Sequence, residues 1–151
     1  MDIKIEIGTK ADLPVLLELI RELAEYEKEL DQVVNTVEMM EVDGFGKNPV
    51  FGFVLARTDD EVIGTAIYYY RYSTWKGKRI YLEDLIVTES FRGLGAGKML
   101  FEEVMNIGKR ENCTGMMWQV LDWNKSAIGF YQKYGTEFDE GWVNCHLQFD
   151  N

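Results

Sequence analysis

The sequence predicts an α/β domain whose first half is antiparallel and whose second half holds a βαβ unit. Three observations lead there. Ile3 to Ile7 alternates apolar and polar residues, the period of a strand. Leu13, Leu16, Leu17, Ile20, Leu23 and Ala24 recur at helical spacing. The apolar run from Ile80 to Val87 leads through spaced glycines into a second helical pattern, as a strand–turn–helix crossover does.

The elements follow in order. After the first strand, Thr9 offers an N-cap and Asp12, three residues on, imitates a capping box, with Pro14 still in the first turn. That helix is expected to run to about Lys28. A short helix starts near Thr36 and stops at Gly44. Phe51 to Ala56 and Val62 to Tyr72 form a hairpin across Thr58-Asp59-Asp60. Trp75-Lys76-Gly77-Lys78 makes the next turn, and Ile80 to Val87 is apolar enough to be a central strand. A helix from about Gly95 to Glu111, a strand from Gly115 to Leu121, a helix from Asn124 to Tyr134 and a closing strand from Gly141 to Phe149 complete the chain. No linker or repeat interrupts residues 1–151, so one domain is expected.

Composition narrows the class. A hydrophobic fraction of 46% with 13% aromatics argues against disorder. No apolar run approaches the roughly 18 residues of a membrane span, and MDIKIEIGTK lacks the basic flank and apolar core of a signal peptide. A cytoplasmic protein without a membrane partner is the expectation. The net charge of −10 disfavours nucleic acid. Nine acids between Glu18 and Asp43, against Arg21 and Lys28, carry −7 of that charge. They are either a solvated helix face or a funnel for a cationic substrate. Cys113 and Cys145 match no metal-ligand spacing with each other or with the lone His146, so no metal is implied and buried free thiols are expected. His146 and methionines such as Met116 and Met117 read as structural.

Two features of Tyr81–Val104 carry chemistry. The first is Arg92-Gly93-Leu94-Gly95-Ala96-Gly97 after a strand and at a helix start. Glycines let backbone amides approach a ligand, and a helix N-terminus gathers free N–H groups, an arrangement suited to a pyrophosphate. A P-loop fails: Arg92 stands where its first glycine belongs, and Met99 where Ser or Thr must follow Lys98. A dinucleotide fingerprint needs G-x-G-x-x-G, whereas the spacing here is G-x-G-x-G. A purely structural glycine cluster is the plain alternative. The second feature is Glu83-Asp84 inside an apolar strand, costly unless the acids are paired or hydrated. Adjacent strand residues point to opposite faces, so the two share a face only if a bulge intervenes.

Arg92, Gly95 and Gly97 match an R/Q-x-x-G-x-G/A signature, and here the sequence resembles the GCN5-related N-acetyltransferase (GNAT) superfamily. Leu121 to Gly135, LDWNKSAIGFYQKYG, resembles the family's N-x-x-A-x-x-F-Y-x-x-x-G segment. The resemblance implies a GNAT fold, with a mixed, mostly antiparallel sheet of about six to seven strands flanked by about four helices. It implies acetyl-CoA as cofactor. Leu85, Ile86 and Val87 would face the pantetheine and thioester. Arg92, Gly93, Leu94, Gly95, Ala96, Gly97 and Lys98 would cradle the pyrophosphate. Asn124, Phe130 and Tyr131 would contact the coenzyme, with Tyr131 as the acid for the departing thiolate. Tyr134, three residues on, lies on a neighbouring stripe of the same helix.

IRELAEYEKELDQV, DGFGKNP, YSTWKG, YLED and EGW further resemble the diamine (spermidine/spermine) acetyltransferase branch over nearly the whole chain. That resemblance places Tyr26, Glu27, Trp75, Glu83, Asp84 and Trp142 at the substrate and implies a homodimer in which both subunits border each site. Polyamine-using members carry an acid where Ser73 stands, and Ser73-Thr74-Trp75-Lys76-Gly77 resembles the type that acetylates thialysine. The acceptor is then a small cationic amine, either a thialysine- or lysine-like amino acid or a polyamine such as spermidine. An ammonium of pKa near 10.4 must lose a proton to become a nucleophile. Glu83, through water, is the expected base, and Asp84 is expected to place the substrate. An N–H of the Ile86–Val87 stretch would polarise the thioester carbonyl. Neither cysteine has a basic neighbour in sequence, which disfavours a cysteine-linked route. The alternatives are an acetyltransferase for a protein N-terminus or lysine, and a non-enzymatic CoA-binding module.

Overall fold

A computed structural model describes residues 2–150. They divide into two compact units, one up to Gln119 and one from Val120. The first holds a five-stranded sheet in the order β1-β2-β3-β4-β5. Its strands are β1 (Lys4–Ile7), β2 (Gly52–Arg57), β3 (Val62–Ser73), β4 (Gly77–Val87) and β5 (Met116–Trp118). All neighbours are antiparallel except β4 and β5, which run parallel. Helices α1 (Leu13–Tyr26), α2 (Val37–Phe45) and α3 (Ala96–Arg110) belong to this unit, and α4 (Lys125–Gln132) to the second.

Local chemistry sets the helix starts. Thr9 and Asp12 form the expected reciprocal capping box, with the Thr9 N–H donating to Asp12 Oδ2 at 2.9 Å. The box encloses a 3₁₀ turn, Lys10–Asp12, and α1 follows it with Pro14 in its first turn, where a missing N–H costs nothing. Thr36 Oγ1 accepts from Met39 N at 3.1 Å and caps α2. The helix ends fall two residues before Lys28 for α1 and one beyond Gly44 for α2.

The sheet has two covered faces. Leu13 and Leu16 of α1 and Met40 of α2 pack on Phe53, Leu55 and Ile67. On the opposite face Phe101 of α3 is fully buried and meets Trp118 edge-on at 5.1 Å between centroids. Gly108 of α3 sits so close to Ile80 that an added Cβ would lie 2.8 Å from its Cγ2.

Three expectations change. The closing strand at Gly141–Phe149 does not form. The segment carries no assigned strand, and Trp142, Val143, Leu147 and Phe149 are exposed: its alternation supplies a pattern but not a ladder. The sheet therefore has five strands among the described residues rather than six or seven, and β5 is three residues long. The cysteines are free but not buried: Cys113 is half-buried and Cys145 is exposed. No helix among the described residues is long and apolar enough to cross a membrane.

Candidate active site

The site starts from a defect in the β3–β4 ladder. Tyr68 of β3 pairs with Leu82, but its neighbour Ile67 pairs with Asp84. Glu83 is the extra residue of a β-bulge. The bulge reverses the alternation of β4. Before it, Tyr81 lies opposite Tyr69, and after it Asp84 lies opposite Ile67. Tyr69 and Ile67 are two apart on β3, so Tyr81 and Asp84 share a face although three residues separate them. Ile67 packs on α1 and α2, which identifies that face. The intervening bulge that strand alternation alone left open is present.

The carboxylates respond to this placement. Burial pushes the Asp84 carboxyl up to about 7, helped by the charges of Glu83 and then Glu27. Glu27 follows the last residue of α1, and burial raises it as well. Three of the predicted substrate residues thus converge. Glu83 itself is exposed. Its charge, second to burial, raises Tyr69, and the stacked pair Tyr69–Tyr81 lies at 5.0 Å between centroids.

The glycine turn lies just beyond β4. Gly93 has φ +83° and Gly95, the N-cap of α3, has φ +92°, so both positions require glycine. A Cβ at either would meet no atom within 4 Å, and at Gly97 only Val87 Cγ2 at 3.8 Å. The turn is thus an open backbone surface at a helix start, where the first-turn N–H groups lack intrahelical partners. These residues fit a phosphate-bearing guest. Leu94 and Lys98 are exposed beside them, and Ala96 is buried. Arg92 Nε donates to Val87 O at 2.9 Å and its guanidinium sits 5.1 Å over the Tyr26 ring. Tyr26 and Arg92 therefore join the end of α1 to the turn.

Among the described residues, the strand between acids and turn has β3 on one edge and no ladder partner on the other. Parallel pairing with β5 covers only Ile80, Tyr81 and Leu82. From Glu83 on, that ladder has ended, so the Leu85–Val87 stretch lies past the last pairing of two parallel strands, toward their carboxyl ends, where such sheets usually bind ligands.

Other predicted residues lie apart or belong to the second unit. Trp75 occupies the β3–β4 turn, 89% exposed. Six residues of β3 separate Ser73 from Ile67, about 20 Å of strand, so its own chain does not bring Trp75 to the acids. In the second unit Asn124 caps α4, its Oδ1 accepting from Ala127 N at 3.2 Å. Tyr131 is buried, its ring 5.4 Å from Phe130, and its carbonyl accepts from Thr136 Oγ1 at 2.7 Å. Trp142 is exposed and donates to Asp139 Oδ2 at 2.7 Å.

Sequence reading missed Glu22, which it counted only within the acidic run. Glu22 accepts from Thr88 Oγ1 at 3.1 Å and from the Glu89 N–H at 3.2 Å, pinning α1 to the end of β4. Glu18, Glu22 and Glu25 line an open cleft of about 350 Å³ with Arg21, so part of the acidic run has structural work and part faces solvent. Among the described residues, no group of three or more His, Cys, Asp or Glu side chains could hold a metal ion.

The chain is similar to known proteins. The chain is 38% identical to the thialysine N-epsilon-acetyltransferase of Bos taurus over 93% of its length and 89% of the relative's. It is 36% identical to the spermidine/spermine N(1)-acetyltransferase-like protein 1 of Homo sapiens over 87% of its length, but over only 20% of that longer protein. Among solved structures, the aminoglycoside N-acetyltransferase AAC(6')-Iy in complex with CoA superposes with a TM-score of 0.78 at 20% identity, over 98% of this chain and 96% of that one. The pattern of the Acetyltransferase (GNAT) family matches residues 16–136. With the family match over residues 16–136 and a relative 38% identical over 93% of the chain in agreement, the chain belongs to the GNAT family of acetyltransferases.

Proposed function

We propose that this protein transfers the acetyl group of acetyl-CoA directly to the primary amine of a small cationic acceptor, thialysine- or lysine-like or a polyamine. The observation that carries this reading is the bulge, which sets Glu83 and Asp84 with Glu27 on one face at the open end of β4. Three carboxylates in one place favour a cation. The thialysine and spermidine/spermine names of the relatives support the same acceptor class.

Acetyl-CoA supplies an acetyl group activated as a thioester. Gly93 to Lys98 offer the amides and the lysine for its pyrophosphate. The acceptor ammonium docks against Glu83 and Glu27. Sequence alone favoured Glu83 as the base and Asp84 for placement. A carboxyl raised to about 7 is instead matched to proton removal at neutral pH, so Asp84 takes the proton and exposed Glu83 holds the cation. The neutral amine attacks the thioester carbonyl, which a backbone N–H of the Ile86–Val87 stretch polarises. Tyr131 returns a proton to the departing thiolate. A homodimer belongs to the same reading, supported by the exposed apolar side chains of Trp142, Val143, Leu147 and Phe149.

The test is CoA release from acetyl-CoA with thialysine, lysine, spermidine and a lysine peptide side by side. Acetylation of the free amines supports the proposal, and turnover confined to the peptide defeats it. Tyr131→Phe is expected to lower kcat by roughly 10²–10⁴-fold while acetyl-CoA affinity changes little. A near-wild-type rate would remove Tyr131 from the mechanism.

A further inference from the structure

Two arginines face each other on the acceptor side of the sheet. Arg71 of β3 pairs directly with Arg79 of β4. Arg71 is two residues from Tyr69, and Arg79 two from Tyr81, so both project from the face that carries the tyrosine pair and Asp84. Like charges directly opposite in a ladder destabilise it unless an anion lies between them. Among the described residues no carboxylate pairs with either. Arg71 sits 5.9 Å over the Tyr81 ring. Arg79 Nε is buried and has no hydrogen-bond partner among the described residues.

The neighbouring strand accommodates this arrangement. Gly115, just before β5, leaves room for the Arg79 guanidinium, since an added Cβ would lie 2.7 Å from its Cζ. Along the same face the order is Ser73, the arginine pair, the tyrosine pair, then Glu83 and Asp84. Four residues of β3 separate Arg71 from Ile67, the partner of Asp84. That is about 13 Å of strand. An extended amino acid of lysine length spans roughly 7 Å from carboxylate to terminal nitrogen at standard bond lengths. Adding about 3 Å of hydrogen bond at each end gives the same distance.

We infer that Arg71 and Arg79 bind a carboxylate on the amine acceptor, so that the site selects amino-acid-like amines and rejects polyamines. This rests on the acceptor site proposed above. The amine end meets Glu83 and Asp84, the methylene chain lies on the Tyr69–Tyr81 pair, and the carboxylate ends on the two guanidiniums, the side chains suited to planar oxygen pairs. A polyamine laid along the same path would bring a second ammonium to two arginines.

The test compares 6-aminohexanoate with pentylamine, which differ only in the carboxylate, and thialysine with spermidine. Wild-type kcat/KM is expected to favour the carboxylated partner of each pair. In Arg71→Gln, at an exposed position that folding tolerates, the 6-aminohexanoate-to-pentylamine ratio should fall roughly 10–100-fold, the worth of a charge-assisted hydrogen bond. Arg79→Gln should act in the same direction, and Arg71→Lys should keep part of the preference. A ratio near one in the wild type, or a ratio unmoved by both glutamine variants, overturns the assignment. Calorimetric titration of 6-aminohexanoate separates the two readings. If no amine is acetylated yet binding is present and lost in Arg71→Gln, the carboxylate site stands and the acetyl-transfer reading fails. If binding is absent as well, both fail.

Discussion

The two ends of the β3–β4 hairpin differ in sign. From Val62 to Leu82 the sequence holds Arg71, Lys76, Lys78 and Arg79 and no acid. At the bulge Glu83 and Asp84 meet Glu27 of the first helix's end. Lys78 leans over Tyr70 on the α3 side, at 5.1 Å, so on the face of Asp84 the tip contributes only the arginine pair. Between the two ends lies a pair of stacked tyrosines with no net charge. One strand pair thus carries a potential that rises along about 13 Å. A molecule with a cation at one end and an anion at the other fits it in one direction only. The difference teaches that position along a ladder can distinguish the two ends of a molecule as well as pocket shape can.

Removing the acid end should have the largest effect. Asp84→Asn is expected to lower kcat/KM by roughly 10²–10⁴-fold, because it removes the carboxyl that burial has raised to about 7. A loss below about tenfold, read by CoA release, would move proton removal back to Glu83. The arginine variants, at 10–100-fold in substrate ratio, probe the opposite end. Glu83→Gln should give a smaller change in rate but a readable change in pH profile. Its charge raises Asp84, so without it the acid limb, which lies near pH 7, moves to lower pH. A limb that stays in place or moves up would contradict the coupling.

The smallest effect concerns stability. Asp84 binds its proton more tightly folded than unfolded, so its ionisation works against folding as pH rises from about 4 through about 7. Asp84→Asn removes that penalty. Its Tm should exceed the wild type's by a few degrees at pH 8, and the gain should vanish near pH 4, where both side chains are neutral. An equal gain at both pH values would place its origin outside the ionisation.

How far sequence reached depended on where each feature is specified. The cap at Thr9, the helix starts at Thr36 and Asn124 and the glycine-rich start of α3 are local, and all were legible, while the left-handed backbone at Gly93 and Gly95 came from the structure. The bulge was not, because register belongs to a pair of strands: Glu83 becomes the extra residue only when Ile67 and Tyr68 choose Asp84 and Leu82. The arginine pair was hidden for the same reason, since Arg71 and Arg79 are eight positions apart and meet only across the ladder. Trp142 to Phe149 misled in the other direction. Its alternation is that of a strand, but a strand exists only where another backbone accepts its hydrogen bonds.

The single residue inserted at the bulge also acts as a phase inverter for everything after it. Leu85 joins Ala66 on the α3 side and Ile86 joins Thr65 on the other, an assignment that holds only because Glu83 is counted out of the ladder. Deleting that one position would therefore do more than remove an acid. It would turn the half of the strand beyond the bulge inside out while leaving the hairpin tip untouched. The two halves of β4 accordingly have separately set faces, and the bulge is what fixes one relative to the other.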